Sequence, residues 1–175
     1  MADTVKQVLW RAEEIEKKLR ASSQRLNPKS YFRGRSLSRL AGMKRAHVSV
    51  VRLPPGKESF AYHAHTIEEE WVYILSGRGI AEIDGKEQEV GPGDFMGFAA
   101  PSVAHLMKNP FEQELVYLMG GESVPFDVID YPHLGKCFLL MVGEKGAGIL
   151  RAQGSDPAVR TGVTPRDQAT NSARR

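Results

Sequence analysis

Three residues with metal-binding side chains stand close together in strand-like sequence, and they constrain this chain more than any other feature. His63 and His65 are two positions apart, and side chains alternate between the faces of a strand, so both imidazoles point the same way. Glu70 follows after four residues and opens a run rich in aromatic and β-branched residues, which predicts the next strand. A hairpin of the two strands would place two imidazoles and a carboxylate on one inner surface.

This set of side chains favours a divalent transition metal. Imidazole and carboxylate suit borderline ions such as Fe, Mn, Ni, Co or Zn. An isolated His is more often a core or surface residue, but three such side chains at this spacing favour a ligand site. We therefore expect one such ion per chain. Its affinity should fall below about pH 6.5, because ligating imidazoles must be neutral.

Short strands separated by Gly and Pro turns dominate the chain from residue 46 onward. Asp84-Gly85 is a hairpin signal, because both central residues of such a turn adopt positive φ. This texture indicates an all-β fold, a sandwich or a small barrel. The predicted strands cover residues 46–53, 60–65, 71–75, 80–83, 86–90, 95–99, 105–109 and 114–119, with peripheral strands within 123–131 and 137–142.

The two ends of the chain differ from this β region. Apolar residues at three- and four-residue steps predict a helix over residues 3–20, and a polar connection extends to residue 30. The barrel is expected at 31–150. Residues 151–175 have almost no apolar anchor, which predicts a disordered tail whose deletion leaves stability and metal content unchanged. The apolar helix face and the sheet edges predict a homodimer.

Charge and composition restrict the partners. The net charge is +3, and the five Arg and two Asp of residues 151–175 account for all of it, so nucleic acid is not expected as a partner. Between Arg25 and Arg52, however, lie eight Lys or Arg and no acid. That stretch suits a basic face, solvated or packed on acidic groups, or else an anion site.

The same features indicate a compartment. The apolar runs are of strand length, and the first residues lack the apolar core of a signal peptide, so no membrane association is expected. The single Cys137 excludes an intrachain disulfide and fits a reducing compartment. We expect a cytoplasmic protein.

The residues around the histidine pair resemble the first motif of the cupin superfamily. That motif is a Gly, five residues, His-x-His, three or four residues, Glu, six residues and a second Gly. This chain has Gly56, His63, His65, Glu70 and Gly77 in that order. One extra residue in the first gap is the only departure.

The second cupin motif is kept less closely. It runs from a Gly through five residues, Pro-x-Gly, two residues and His to an Asn four positions later. Here Gly93 leads to Ala99 and Pro101, which stand where Pro and Gly are expected. His105 comes one residue late, and Asn109 follows at the family spacing. The loop before this histidine therefore departs from the pattern.

The resemblance implies a jelly-roll barrel that holds a metal inside, here preceded by the N-terminal helix. By position in the motifs, the ligands would be His63, His65, Glu70 and His105. Three nitrogens and one carboxylate leave one or two coordination positions for water or substrate. A looser likeness over residues 31–150 is to single-domain cupins labelled as sugar-phosphate-isomerase-like.

Three function classes remain open. The first is a metal-dependent enzyme that acts on a small molecule. The metal could polarise a carbonyl in the isomerisation of a sugar phosphate or keto compound, while a bound oxygen or Glu70 moves the proton. Loaded with Fe or Mn, the site could instead serve a dioxygenase. The second class is a non-catalytic small-molecule-binding cupin, and the third is a structural cupin whose metal only holds the barrel. We favour a metal-dependent enzyme, because four ligands are more than a barrel needs.

Residues around the predicted site complete the expectations. The neighbours that share strand faces with the ligands are apolar, so the pocket should be mainly apolar. Arg52 is the candidate anchor for an anionic substrate if its strand face points inward, because a guanidinium clamps carboxylate or phosphate with two hydrogen bonds. The opposite register would leave Arg52 in solvent. His47 and His133 are expected to be structural or exposed.

Overall fold

The computed structural model describes residues 7–143 and 146–152, and strands account for most of the regular structure in them. The all-β prediction is confirmed. Two five-residue helices, α1 (Ala12–Glu16) and α2 (Leu37–Ala41), and a 3-10 turn (Pro132–Leu134) accompany the strands. The strands are β1 (Arg20–Ser22), β2 (Phe32–Ser36), β3 (Ala46–Leu53), β4 (Lys57–Glu58), β5 (Ala64–His65), β6 (Glu70–Ser76), β7 (Gly79–Ile83), β8 (Lys86–Val90), β9 (Phe95–Phe98), β10 (His105–Asn109), β11 (Leu115–Glu122), β12 (Phe126–Tyr131), β13 (Lys136–Gly143) and β14 (Gly146–Ala152).

The strands form three antiparallel sheets that build the jelly-roll. The largest has the order β1-β2-β3-β11-β6-β9, and the other two have the orders β4-β10-β7-β8 and β14-β13-β12-β5. Strands distant in sequence pair with each other: β11 lies between β3 and β6 and pairs with both. Among the described residues, no helix has the length and apolar character needed to cross a bilayer.

The hydrophobic core lies between the inner faces of the first two sheets. Alternate residues of β3 and β6 are buried on the inner side, because side chains point to opposite faces along a strand. Burial of these side chains is the main force that holds the sheets together. The buried cluster is Phe32, Val51, Leu53, Val72, Ile74, Ala81, Val90, Phe98, Met107, Leu115 and Tyr117.

Two turns show why glycine is needed at particular positions. Asp84 and Gly85 both adopt positive φ, 50° and 71°, so the hairpin predicted between β7 and β8 is confirmed. Gly77 has φ 78°, and a Cβ there would overlap the carbonyl oxygen of Glu114. The glycine therefore allows β6 and β11 to approach each other closely.

The N-terminal helix is much shorter than predicted. Only Ala12–Glu16 is helical, and residues 3–6 lie outside the described part of the chain. Val8 and Leu9 remain 82% and 58% exposed, so this part of the apolar stripe does not pack on the body, whereas Leu19 is buried. A short helix without such packing is only marginally stable. Arg20–Ser22 instead pairs with β2, which satisfies its backbone groups in a sheet.

The structure describes the C-terminal end of the barrel but not the residues that follow it. Strand β14 pairs with β13 and ends at Ala152, two residues beyond the predicted end of the barrel. Residues 153–175 lie outside the described residues, so the disordered tail stays a prediction.

Candidate metal centre

The four side chains predicted as ligands lie together inside the jelly-roll. His65 ends β5, Glu70 begins β6 and His105 begins β10. His63 precedes β5, and a backbone bridge fixes it opposite His105: each donates its N–H to the other's carbonyl, at 3.2 and 2.8 Å. All four are buried, with at most 9% of each residue exposed. Backbone pairing thus brings three separate segments to one point.

The distances between donor atoms suit one shared ion. Oε2 of Glu70 lies 3.1 Å from Nε2 of His105 and 3.6 Å from Nε2 of His65. Ligand atoms of His63, Glu70 and His105 all lie within 4.8 Å of one another. Donors at about 2.0–2.2 Å from a tetrahedral or octahedral metal are themselves about 3–3.5 Å apart. The arrangement is therefore close to a coordination shell.

Hydrogen bonds to backbone carbonyls fix two of the imidazoles. Nδ1 of His63 donates to the carbonyl of Ala61 at 2.8 Å, and Nδ1 of His105 donates to that of Val103 at 3.2 Å. A carbonyl oxygen only accepts, so the hydrogen is on Nδ1 and the lone pair is on Nε2. Nε2 of His105 and Oε2 of Glu70 then face each other with lone pairs, which is favourable only with a cation or proton between them. The residues therefore fit a metal.

Asp127 fixes the third imidazole, and no local sequence pattern indicated this residue. Nδ1 of His65 donates to Oδ2 of Asp127 at 2.6 Å. Oδ1 accepts the N–H groups of Ile67 and Val128, and the residue is fully buried. Ligand atoms of His65, Glu68 and Asp127 also cluster within 4.8 Å. Because both oxygens of Asp127 are already engaged, it serves to orient the imidazole.

The ionisation of the site matches what ligation requires. Burial lowers the pKa of His63 to about 3, with help from the charges of His105 and His65, so this imidazole is neutral at neutral pH. For Glu70, burial raises the pKa, but when a proton in place of an ion lies between Glu70 and His105, the hydrogen bond from His105 and the charges of the three histidines together bring it to about 2. A carboxylate with so low a pKa is a good ligand and a weak proton acceptor.

The loop that departs from the second cupin motif supports the site directly. Its peptide bond Ala100–Pro101 is cis. Ser102 then makes two hydrogen bonds to the backbone of His65: its N–H donates to the carbonyl, and its hydroxyl accepts the N–H, both at 2.8 Å. The altered loop therefore holds one ligand strand in place.

A cavity of about 770 Å³ opens beside the ligands. The surface of the cavity is mainly apolar, as predicted, but the residues expected to supply that surface do not line it. Val72 and Ile74 do share the face of Glu70, but they lie in the core rather than in the cavity wall. Most cavity-lining residues are polar or charged; among them are Gln24, Ser49, Arg39, Lys44, Glu68 and Tyr131.

Arg52 does not belong to the cavity, because β3 has the opposite register to the one that would turn it inward. Its neighbours Val51 and Leu53 are the buried residues. The guanidinium of Arg52 contacts Glu16 at 2.8 Å and Glu114 at 2.9 Å, both outside the cavity lining. The role of Arg52 as an anion anchor required its strand face to point inward, and it does not.

The remaining two histidines differ from each other. His47 lies on the inner side of β3, lines the cavity and is hydrogen-bonded to Glu68. His133 is exposed and stacks on Tyr62 with ring centroids 4.2 Å apart. Neither belongs to a candidate metal group among the described residues, as predicted: His47 is paired with Glu68, and His133 is exposed.

Comparison with known proteins decides the family. The Cupin domain family matches residues 49–121. A candidate sugar phosphate isomerase from Acidithiobacillus ferrooxidans is 34% identical, with 85% of this chain and 94% of that one covered and a TM-score of 0.75. This chain belongs to the cupin superfamily. The matched segment contains all four residues of the candidate metal centre.

Two further solved structures share the fold of this cupin. A cupin-superfamily sugar phosphate isomerase from Silicibacter pomeroyi is 23% identical over 80% of this chain and 92% of its own, with a TM-score of 0.68. A candidate oxalate decarboxylase from Thermotoga maritima is 24% identical over 66% and 99%, with a TM-score of 0.57. No curated protein matches this chain significantly.

Proposed function

We propose that this cupin is a metal-dependent enzyme that isomerises a small polar molecule of the sugar-phosphate or keto class. The observation that carries the proposal is the site itself: four buried donors converge, three Nδ1 atoms already donate elsewhere, and a cavity of about 770 Å³ adjoins them. That volume falls within the range of about 300–1,000 Å³ found for small-molecule sites.

The ligands and the aromatic rings around them would have different roles in the reaction. A divalent ion held by His63, His65, Glu70 and His105 would polarise a substrate carbonyl. The aromatic rings around these ligands keep water from one side; Phe98 stacks on His105 with centroids 3.9 Å apart. Such shielding strengthens the electrostatic interactions inside the site.

A proton must also move in an isomerisation, and His47 is the histidine placed for it. It lines the cavity but lies outside the set of four candidate ligands. Its hydrogen bond with Glu68 is the chief cause that raises its pKa, although burial opposes the shift. His47 therefore keeps its proton to a higher pH than a free imidazole does, beside a bound substrate. The low pKa of Glu70 makes that carboxylate a poorer candidate for the same task.

The identity to the Acidithiobacillus protein supports the choice of reaction. That protein is named as a candidate sugar phosphate isomerase, and the likeness extends over 85% of this chain. The solved structures below 25% identity support the fold alone.

The experiment measures metal and turnover on the same preparation. Protein purified without added metal should contain about one divalent ion per chain, and NMR of aldose and ketose phosphates should show interconversion that a chelator stops and the added metal restores. An oxygen electrode run in parallel distinguishes the dioxygenase alternative. Absence of any bound transition metal, or oxygen uptake without isomerisation, would overturn the proposal.

A further inference from the structure

The basic stretch between Arg25 and Arg52 divides into two groups in the structure. The first group packs on acidic side chains: Lys29 contacts Glu58 at 3.4 Å, and Arg33 contacts Glu16 at 3.3 Å. Arg52 also belongs to it. These residues fit the interpretation of a basic arm packed on acidic groups.

The second group includes two cations that face the cavity. Among the described residues, the side chains of Arg39 and Lys44 have no ion pair or hydrogen bond, yet both line the cavity that adjoins the metal ligands. We call these two residues the cavity rim, and His63, His65, Glu70 and His105 the cavity floor. Two cations with no protein partner, on the wall of a ligand-sized cavity, are available to an anion.

Local structure keeps the backbone of the rim in place. Helix α2 carries Arg39, and the hydroxyl of Ser38, which is buried, accepts the N–H of Val48 on β3 at 3.1 Å. The helix ends at Gly42, whose φ of 73° turns the chain towards Lys44. The backbone is thus fixed against β3, while the two cationic side chains remain exposed and can reach a ligand.

Hydroxyl donors lie beside the cations. Ser36 and Ser49 are paired across β2 and β3, and both line the cavity. Among the described residues, the hydroxyl of Ser49 has no hydrogen-bond partner. A phosphate monoester carries close to two negative charges and three terminal oxygens, so two cations and a hydroxyl match it better than they match a carboxylate.

The acidic residues of the cavity do not cancel the rim. Glu68 is occupied by His47, and Glu70 belongs to the floor. Glu122, which is exposed, is the remaining carboxylate of the lining.

We propose that Arg39 and Lys44 form a subsite for the phosphate of a phosphate monoester whose other end reaches the cavity floor. The subsite rests on the proposed function for its substrate class, but it can be tested without turnover. It also replaces Arg52 as the anion anchor of this cupin.

Calorimetric titration with glycerol 3-phosphate tests the subsite. The wild type should bind this probe saturably, and Arg39→Met/Lys44→Met should bind it about tenfold or more weakly, because charged hydrogen bonds are lost. Arg25→Met/Arg45→Met is the matched control, since it removes the same charge from exposed residues outside the cavity lining. Binding to the wild type should also weaken with added salt, because the rim is exposed.

Further arms separate the possible outcomes. Metal content should be the same in wild type and both double variants, so a failure of the metal centre is visible apart from a failure of the rim. Glycerate in place of glycerol 3-phosphate tests a carboxylate, and its equal or tighter binding would overturn the phosphate assignment. Arg39→Lys should restore part of the affinity relative to Arg39→Met. No saturable binding of glycerol 3-phosphate, or equal affinity in the rim variant and its control, would overturn the subsite.

Discussion

The floor and the rim of the same cavity are built in opposite ways. On the floor, each imidazole is buried and donates Nδ1 to a fixed acceptor, so its direction is set before any ligand arrives. On the rim, Arg39 and Lys44 are exposed, and their side chains have no partner among the described residues. The floor is therefore preorganised in the way that a metal ion would require, whereas the rim can adapt to the molecule that enters.

Removal of floor ligands is expected to have the largest effect. His63→Ala/His65→Ala should abolish stoichiometric metal binding, because two of the four donors are lost. Metal analysis of the purified variant measures this directly. His133→Ala is the control, since that histidine is exposed and outside the cavity. Metal retained at one ion per chain in the double variant would show that the floor is not the metal site.

Loss of a supporting group should weaken the floor without removing a ligand. Asp127→Asn keeps the shape of the side chain but replaces the charged acceptor of His65. We expect metal affinity to fall about 10–100-fold, as for other residues that orient a metal-binding histidine. Competition with a chromophoric chelator gives the affinity. Unchanged affinity with unchanged melting temperature would mean that the imidazole is oriented by other contacts.

The glycine between floor and cavity wall offers a third test. Gly121 on β11 pairs with His47 on one side and Glu70 on the other. A Cβ there would overlap the carbonyl oxygen of Glu69 and come within 2.9 Å of Nε2 of His47. Gly121→Ala should therefore reduce the free energy of unfolding by about 1–3 kcal/mol.

Denaturant unfolding measures that loss, and a matched glycine controls for the substitution itself. Gly91→Ala adds the same methyl group where nothing lies within 4 Å. It should change stability little. Equal effects of the two substitutions would mean that the crowding at Gly121 is relieved by a small shift of the strands.

Sequence reasoning succeeded where a short-range rule determines the geometry. The two-residue period of a strand places His63 and His65 together, and alternation with turn signals predicted β3, β8 and β10 with the bounds that the structure has. The floor could therefore be assembled from spacing and the cupin resemblance.

The parts that sequence missed depend on long-range pairing. The register of β3 decides which way Arg52 points, and its own alternation is compatible with either face. Asp127 meets His65 from 62 positions away, so no local pattern could reveal it. The stripe over residues 3–20 satisfied the helical period, but within the described residues 7–20 the helix covers only Ala12–Glu16, and Val8 and Leu9 have no surface to pack on.

The smallest expected effect concerns His47, which lies between floor and rim. Its pKa is raised above the ordinary 6.5, chiefly by the hydrogen bond with Glu68. A group with a raised pKa in the folded state binds its proton more tightly there than in the unfolded chain. The stability it contributes is therefore fully present below about pH 6.5 and is lost as pH rises through the folded-state pKa.

His47→Gln should therefore lower the melting temperature more at about pH 6 than at about pH 9. The difference corresponds to about 1 kcal/mol or less in the free energy of unfolding. The comparison is made on metal-loaded protein, where His63 is held neutral at both pH values. A deficit that is equal at both pH values would mean that His47 contributes packing alone, and the protonated pair with Glu68 would then be discarded.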